Sequence, residues 1–283
     1  MLYLILSILC SVSVGVLFKI SRNYTSSKTQ IIAFNYLFAL GLCYLSYEPD
    51  IKAIGASAPW LIYSIIGVLL PTIFLLLATS IKYMGIVKTD AAQRLSLFIP
   101  IIAAWLLFDE EFNILKICAL FVGLPAILML LAKPSSNSQN KWIYPAAVLL
   151  GFGIIDVLFK KVSTYTELPY TTSLFVIFGI SFLITIVAVR FENKNENTKL
   201  TSQNLLFGGL IGIFNFGNIL FYLKAHHAFA KNPSTVFAGM NMGVILIGSL
   251  VGLFIFKEKL SKLNFTGLFL ALVAVVLIVI SQS

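Results

Sequence analysis

Long apolar runs separated by short polar links make up almost the whole chain. Their approximate edges are 2–20, 30–47, 59–82, 89–108, 113–132, 142–162, 170–190, 204–225, 234–256 and 264–281. Each run predicts a helix, because roughly 20 residues rising 1.5 Å apiece cross the ~30 Å hydrocarbon core of a bilayer. The pattern therefore predicts an all-α integral membrane protein with ten transmembrane helices. Two links are longer than the rest. Lys133–Lys141 is rich in Ser, Asn and Gln and reads as a flexible linker, whereas Phe191–Gln203 is charged and Asn-rich and reads as a solvated loop. No polar segment is large enough to fold as an aqueous domain.

The stretch Leu77–Leu115 organises the rest. It ends one apolar run, turns through Gly85 and Lys88, runs a second span from about Thr89 to Phe108, and stops at Asp109-Glu110-Glu111. That span carries Gln93, Arg94 and Pro100, which are tolerated in a membrane only where they face protein or a wet cavity. A similar passage returns later. A slide of 148 residues puts Phe108-Asp109-Glu110 on Phe256-Lys257-Glu258, Leu120-Phe121 on Leu268-Phe269, and Gln93 on Asn241. Near the N-terminus, Val16-Leu17-Phe18-Lys19 with Tyr24-Thr25 recurs as Val157-Leu158-Phe159-Lys160 with Tyr165-Thr166, an offset of 141. The chain thus divides into two homologous halves, 1–132 and 142–283, joined by the link 133–141. With five spans in each, the second half enters the membrane from the opposite side. Inverted repeats of this kind are a common plan of secondary transporters, with the site near the midplane.

Composition agrees. Of the residues, 59% are hydrophobic and 11% charged, where a soluble domain has about 25% charged. The net charge of +9 comes from Lys and Arg placed singly or in pairs in the links, as interfacial anchors, with no basic patch interleaved with aromatics for nucleic acid. Because Lys19, Lys82, Lys160 and Lys224 sit at span ends, where they would line a vestibule, the charge bias leaves the orientation open. Cys10, Cys43 and Cys118 lie in apolar runs without metal-ligand spacing and are expected to be reduced, buried hydrophobes. Residues Leu2–Ile20 are expected to be an uncleaved first span. His226 and His227 are adjacent and point apart, so they make no metal pair; no hydrolase or phosphate-binding motif is present, which leaves an intramembrane enzyme as the weaker class. No cofactor is expected.

The remaining signal is polar groups deep in spans. Asp156 lies four residues before Lys160, so the two share a helical face, either as a self-neutralised pair or with the carboxylate open to a cavity. Arg94 either snorkels to the nearby link or faces that cavity. Gln93 and Asn241 are repeat-mates, able to line a midplane site or to hold helices together. Gly208, Gly212, Asn215, Asn218 and Tyr222 form one face of the eighth span, the glycines suiting close packing and the polar members a cavity. The expected polar wall is therefore Gln93, Arg94, Asp156, Asn215, Asn218, Tyr222 and Asn241. Arg94 would hold a carboxylate or phosphate, and Asp156 an amine or a coupling proton. Glu110 and Glu258 are expected to cap the starts of the fifth and tenth helices at opposite membrane faces.

At these residues the chain resembles the drug/metabolite transporter superfamily, EamA type, with two five-helix EamA repeats. The family stretch runs roughly Ala-Leu-x-Tyr-Thr-x-Ala to a Pro and then an apolar helix closing on Gly-Glu-Arg. The match here is Ser80-Ile81-Lys82-Tyr83 through Pro100 to Phe108-Asp109-Glu110-Glu111, with Phe256-Lys257-Glu258-Lys259-Leu260 in the second half. Asp109 and Lys257 stand where the family often has Gly, and Gly248 stands opposite Pro100, so the halves are not expected to be equivalent in function. The resemblance implies a multi-pass protein of a plasma membrane, the inner membrane of a bacterium. It would export or exchange a small metabolite such as an amino acid by alternating access. A scaffold or small-molecule sensor on the same fold is the alternative.

Overall fold

The computed structural model describes residues 2–24, 27–55, 58–96, 98–99, 102–103, 113–131, 141–163, 165, 167–196, 200–228 and 233–281. Among the described residues there is no strand. The helices are α1 (Leu2–Ser21), α2 (Lys28–Tyr47), α3 (Trp60–Leu95), α4 (Ile114–Leu131), α5 (Ile143–Ser163), α6 (Tyr170–Glu196), α7 (Ser202–Ala228), α8 (Pro233–Leu250) and α9 (Lys262–Ile280). A 3-10 turn at Ile51–Ala53 follows α2, and a π-helical turn at Val251–Ile255 extends α8. Five stretches, Leu2–Ser21, Lys28–Tyr47, Trp60–Leu95, Tyr170–Glu192 and Ser202–Tyr222, are long and apolar enough to cross a membrane. Leu45, Leu61, Phe121 and Phe254 are each 75% exposed. Large apolar side chains left this open in number are compatible with a lipid surround.

α3 spans 36 residues, about 54 Å if straight and far more than a ~30 Å core needs. It is not straight. Gly85 has φ 86° and ψ 172°, a backbone conformation open almost only to glycine, and the helix restarts at Ile86. Ser80 Oγ and Thr89 Oγ1 lie 2.7 Å apart, whereas nine residues of continuous helix would separate them by roughly 13 Å. The chain therefore folds back at Gly85. The turn expected through Gly85 and Lys88 is shorter than the sequence suggested, and Lys88 is a buried residue inside the new helix.

Packing runs mainly between the two halves of the chain. α1 lies on α7 and α8, α2 on α6 and α7, α3 on α5 and α6, and α4 on α9. Small residues set the closest approaches. A Cβ on Gly208 would stand 2.6 Å from the Ile31 carbonyl, and one on Gly212 2.7 Å from the Asn35 carbonyl, so the glycines of the α7 stripe serve packing on α2. Buried polar bonds tie the same helices. Asn204 Nδ2 donates to Gln30 Oε1 at 2.6 Å across α7 and α2, and Tyr63 and Ser173 share a 2.7 Å bond across α3 and α6.

Cys10 and Cys43 are buried as expected, but Cys118 is exposed on α4, a correction that follows from the helix turning that face away from the core. Pro100, Asp109, Glu110 and Glu111, residue 132, residues 133–140 of the link, and the side chains of Lys160, His226 and His227 lie outside the described residues.

Candidate functional site

Two polar assemblies occupy the interior, one at an end of the bundle and one deeper. The first is built at the Gly85 fold-back. The restarted helix has free N–H groups at its first turn, and an anion there completes them. Glu258 is that anion: its Oε1 accepts from Ile86 N at 2.7 Å and its Oε2 from Val87 N at 3.1 Å. Lys19 Nζ, near the end of α1, forms an ion pair with Glu258 Oε1 and lies 4.4 Å over the Phe256 ring. The chain reaches this point because the π-helical turn ends in a bond from Glu258 N to Gly252 O (2.9 Å) and Lys257 takes a left-handed φ of 52°.

Glu258 was expected to cap the last helix. It caps a helix, but one from the other half of the chain. The start of α9 is closed instead by Ser261 and Asn264: Asn264 N donates to Ser261 Oγ and Ser261 N to Asn264 Oδ1, both at 3.1 Å. Sequence spacing could not distinguish a helix nearby in the chain from one nearby in space.

The deeper assembly centres on Arg94. It is half-buried on the restarted part of α3, donates from Nη2 to Ser11 Oγ of α1 at 2.6 Å, and leaves Nε without a partner. It interacts electrostatically with Asp156 of α5 and Tyr222 of α7, and also with Asp90 one turn earlier. Among the described residues no hydrogen bond or ion pair joins Arg94 directly to Asp156. Asp156 is exposed, and Tyr170, the first residue of α6, is 37% exposed and interacts with both Asp156 and Tyr47 at the end of α2. The Tyr47 hydroxyl has no partner, and its ring packs edge-on against Phe216 at 5.9 Å. A cation and an anion on different helices thus interact through space, with Tyr222 and Tyr170 in the same set of interactions and Asp156 exposed.

Of the seven residues expected in the polar wall, the structure brings Arg94, Asp156 and Tyr222 together. Asn215 and Asn218 are occupied elsewhere: Asn215 Nδ2 donates to Asn35 Oδ1 at 3.3 Å, and Asn218 Oδ1 accepts from Ser7 Oγ at 2.8 Å. Gln93 and Asn241 are half-buried on α3 and α8, and Asn241 already has a partner. Sequence reading missed Ser11, Tyr170 and Asp90. The tyrosine resembles an interfacial aromatic at a span end, and Asp90 fell at the expected edge of the fourth span, where an acid draws no notice.

No family model matches the chain. A solved structure described as a crystal structure of a protein is similar in fold, with a TM-score of 0.58 over 96% of this chain and 97% of that one, at 11% identity. An uncharacterized protein of Haemophilus influenzae is 39% identical over 282 residues, covering 96% of this chain and 95% of that one. With that identity sustained across nearly the full length of both proteins, the chain belongs to the family of the Haemophilus influenzae protein.

Proposed function

We propose that this protein is a secondary transporter of the EamA type, carrying a small zwitterionic or otherwise polar metabolite across the membrane by alternating access. The observation that carries the reading is the Arg94–Asp156 arrangement. Two opposite charges lie on apolar helices, interact through space, and leave each other without a direct bond. On insertion scales each costs roughly 2.5–3.5 kcal/mol at mid-span, a cost that a ligand bridging the two would offset. Arg94 has an unpartnered Nε for a carboxylate, and the accessible Asp156 suits an amine.

The two ends of the bundle differ, which supports alternating access. Arg22 Nη1 donates to Lys82 O and Lys28 Nζ to Thr79 Oγ1, so the start of α2 lies at the same end as Gly85 and the Lys19–Glu258 pair. Tyr47 at the other end of α2 marks the side on which Tyr170 and Asp156 are accessible. In this reading one mouth is latched and the other open.

The proposal includes ten spans in two inverted five-helix halves. In favour is the exchange symmetry of the packing: α1 on α7 is matched by α5 on α3, while the α2–α6 and α4–α9 contacts map onto themselves. Solute counterflow in proteoliposomes, screened with amino acids and related metabolites, tests transport. Absence of exchange for every solute, with folded and correctly reconstituted protein, would favour the scaffold or sensor instead.

A further inference from the structure

Asp90 is left unexplained by the solute site. It is 7% exposed, and its Oδ2 has no hydrogen-bond partner. Glycines enclose it: a Cβ on Gly248 of α8 would stand 2.4 Å from Oδ2, and one on Gly15 of α1 3.7 Å from Oδ1. At these two positions the neighbouring helices offer no side-chain donor or cation. Two charged groups act on it: Arg94 on its own helix and Glu258 beyond α8. Arg94 is engaged by Ser11, and Glu258 is an anion already held by Lys19 and by the Ile86 and Val87 N–H groups, with Lys88 interacting with Glu258. An ionised carboxylate in this position would be buried, with Oδ2 unpartnered, and would be repelled by a second carboxylate, Glu258. A neutral carboxyl in the same place is far less costly.

We propose that Asp90 is a proton-binding site, occupied in this conformation. A bound metal cation would require several oxygen ligands, and among the described residues no group of three or more His, Cys, Asp or Glu side chains could hold one. The carbonyls of Gly15 and Gly248 belong to helical segments and are committed to the helix ladder. A proton needs only the one carboxylate. Its release has a partner in place: Arg94 is four residues on, on the same helical face, and within reach if it leaves Ser11. The Asp90 carboxyl then gives its proton to water, and the resulting carboxylate pairs with the guanidinium. The proton would thus be held while Arg94 is engaged elsewhere and lost when Arg94 turns inward. The use of this switch in coupling rests on the carrier reading; the proton site itself does not.

Infrared difference spectroscopy of the full chain in phospholipid nanodiscs at neutral pH tests the site without a solute. The expected result is a protonated-carboxyl C=O band that shifts in D2O, persists in Asp156→Asn and disappears in Asp90→Asn. Should Asp90→Asn fail to fold, Asp90→Glu is expected to displace the band. Absence of the band in the wild type, or a band unmoved by either Asp90 substitution, overturns the proposal. Counterflow measured on the same preparations separates the two readings. A band that depends on Asp90 with no exchange of any solute refutes the carrier and leaves the proton site standing; exchange without the band refutes the proton site alone.

Discussion

Gly85 carries two constraints at once. Its φ of 86° with ψ of 172° costs a residue with a side chain on the order of 1–3 kcal/mol. A Cβ there would also lie 2.6 Å from the Glu258 carboxylate, so even alanine must push the latch aside. Gly85→Ala is therefore expected to lower the thermal unfolding midpoint in detergent, and an unchanged midpoint would show that the fold-back is not under this strain. Glu258→Gln keeps the shape but removes the charge that Lys19 and the helix start share. Lys19 and Glu258 are 16% and 10% exposed, so breaking the pair belongs with buried pairs, at about 3 kcal/mol. Loss of stability in Glu258→Gln, relieved in part by Lys19→Met in the same chain, is the expected pattern in a double-mutant cycle. In the deeper site, Asp156→Asn removes the anion that would meet an amine. A charged hydrogen bond contributes about 1.5–3 kcal/mol, so exchange of amine-bearing solutes is expected to fall roughly 10- to 100-fold.

Helix contacts decide the sign of substitutions that propensity alone would misjudge. Glycine to alanine inside a helix usually stabilises by about 1 kcal/mol. Gly212→Ala should do the reverse, because the new methyl meets the Asn35 carbonyl, a backbone atom that cannot rotate away. Separating α7 from α2 also loosens the Asn215–Asn35 and Asn204–Gln30 bonds. Thermal unfolding of Gly212→Ala checks this; a gain in stability would show that the helices part at no cost. Glycine, asparagine and tyrosine at helical spacing on one face of α7 were visible in the sequence. Their division between packing and site was not, since it depends on where α1, α2, α3 and α5 lie around that face.

At the level of the whole molecule, the proposed inversion of the two halves can be tested without an atomic structure. Tyr24 and Tyr165 are equivalent under the 141-residue offset. Cysteines placed there in a chain lacking its native thiols are expected to react with a membrane-impermeant maleimide from opposite faces. Labelling of both from one face would refute the inversion. The latch predicts a second global effect. A thiol-to-thiol bismaleimide spanning Lys19→Cys and Glu258→Cys, placed where the long side chains meet, should hold that end of the bundle closed and abolish solute exchange; exchange that continues after cross-linking would remove the latch.

Apolar periodicity and length sufficed for an all-helical chain with several helices long and apolar enough to cross a membrane, because burying a backbone in hydrocarbon leaves few options but helices. The internal offsets of 141 and 148 residues predict two related halves. Arg94 and Asp156 stood out because charge inside a span is costly wherever the helix sits. Only the tertiary structure could decide which polar groups satisfy one another. It set Asn215 and Asn218 against Asn35 and Ser7, left Arg94 and Asp156 unjoined, and enclosed Asp90 between two glycines. Glu258 is the clearest case. Its carboxylate and the free N–H groups of Ile86 and Val87 are each legible as a local need, but they lie 172 and 171 residues apart. Local chemistry says that a helix start requires an acceptor; the fold alone selects which one arrives.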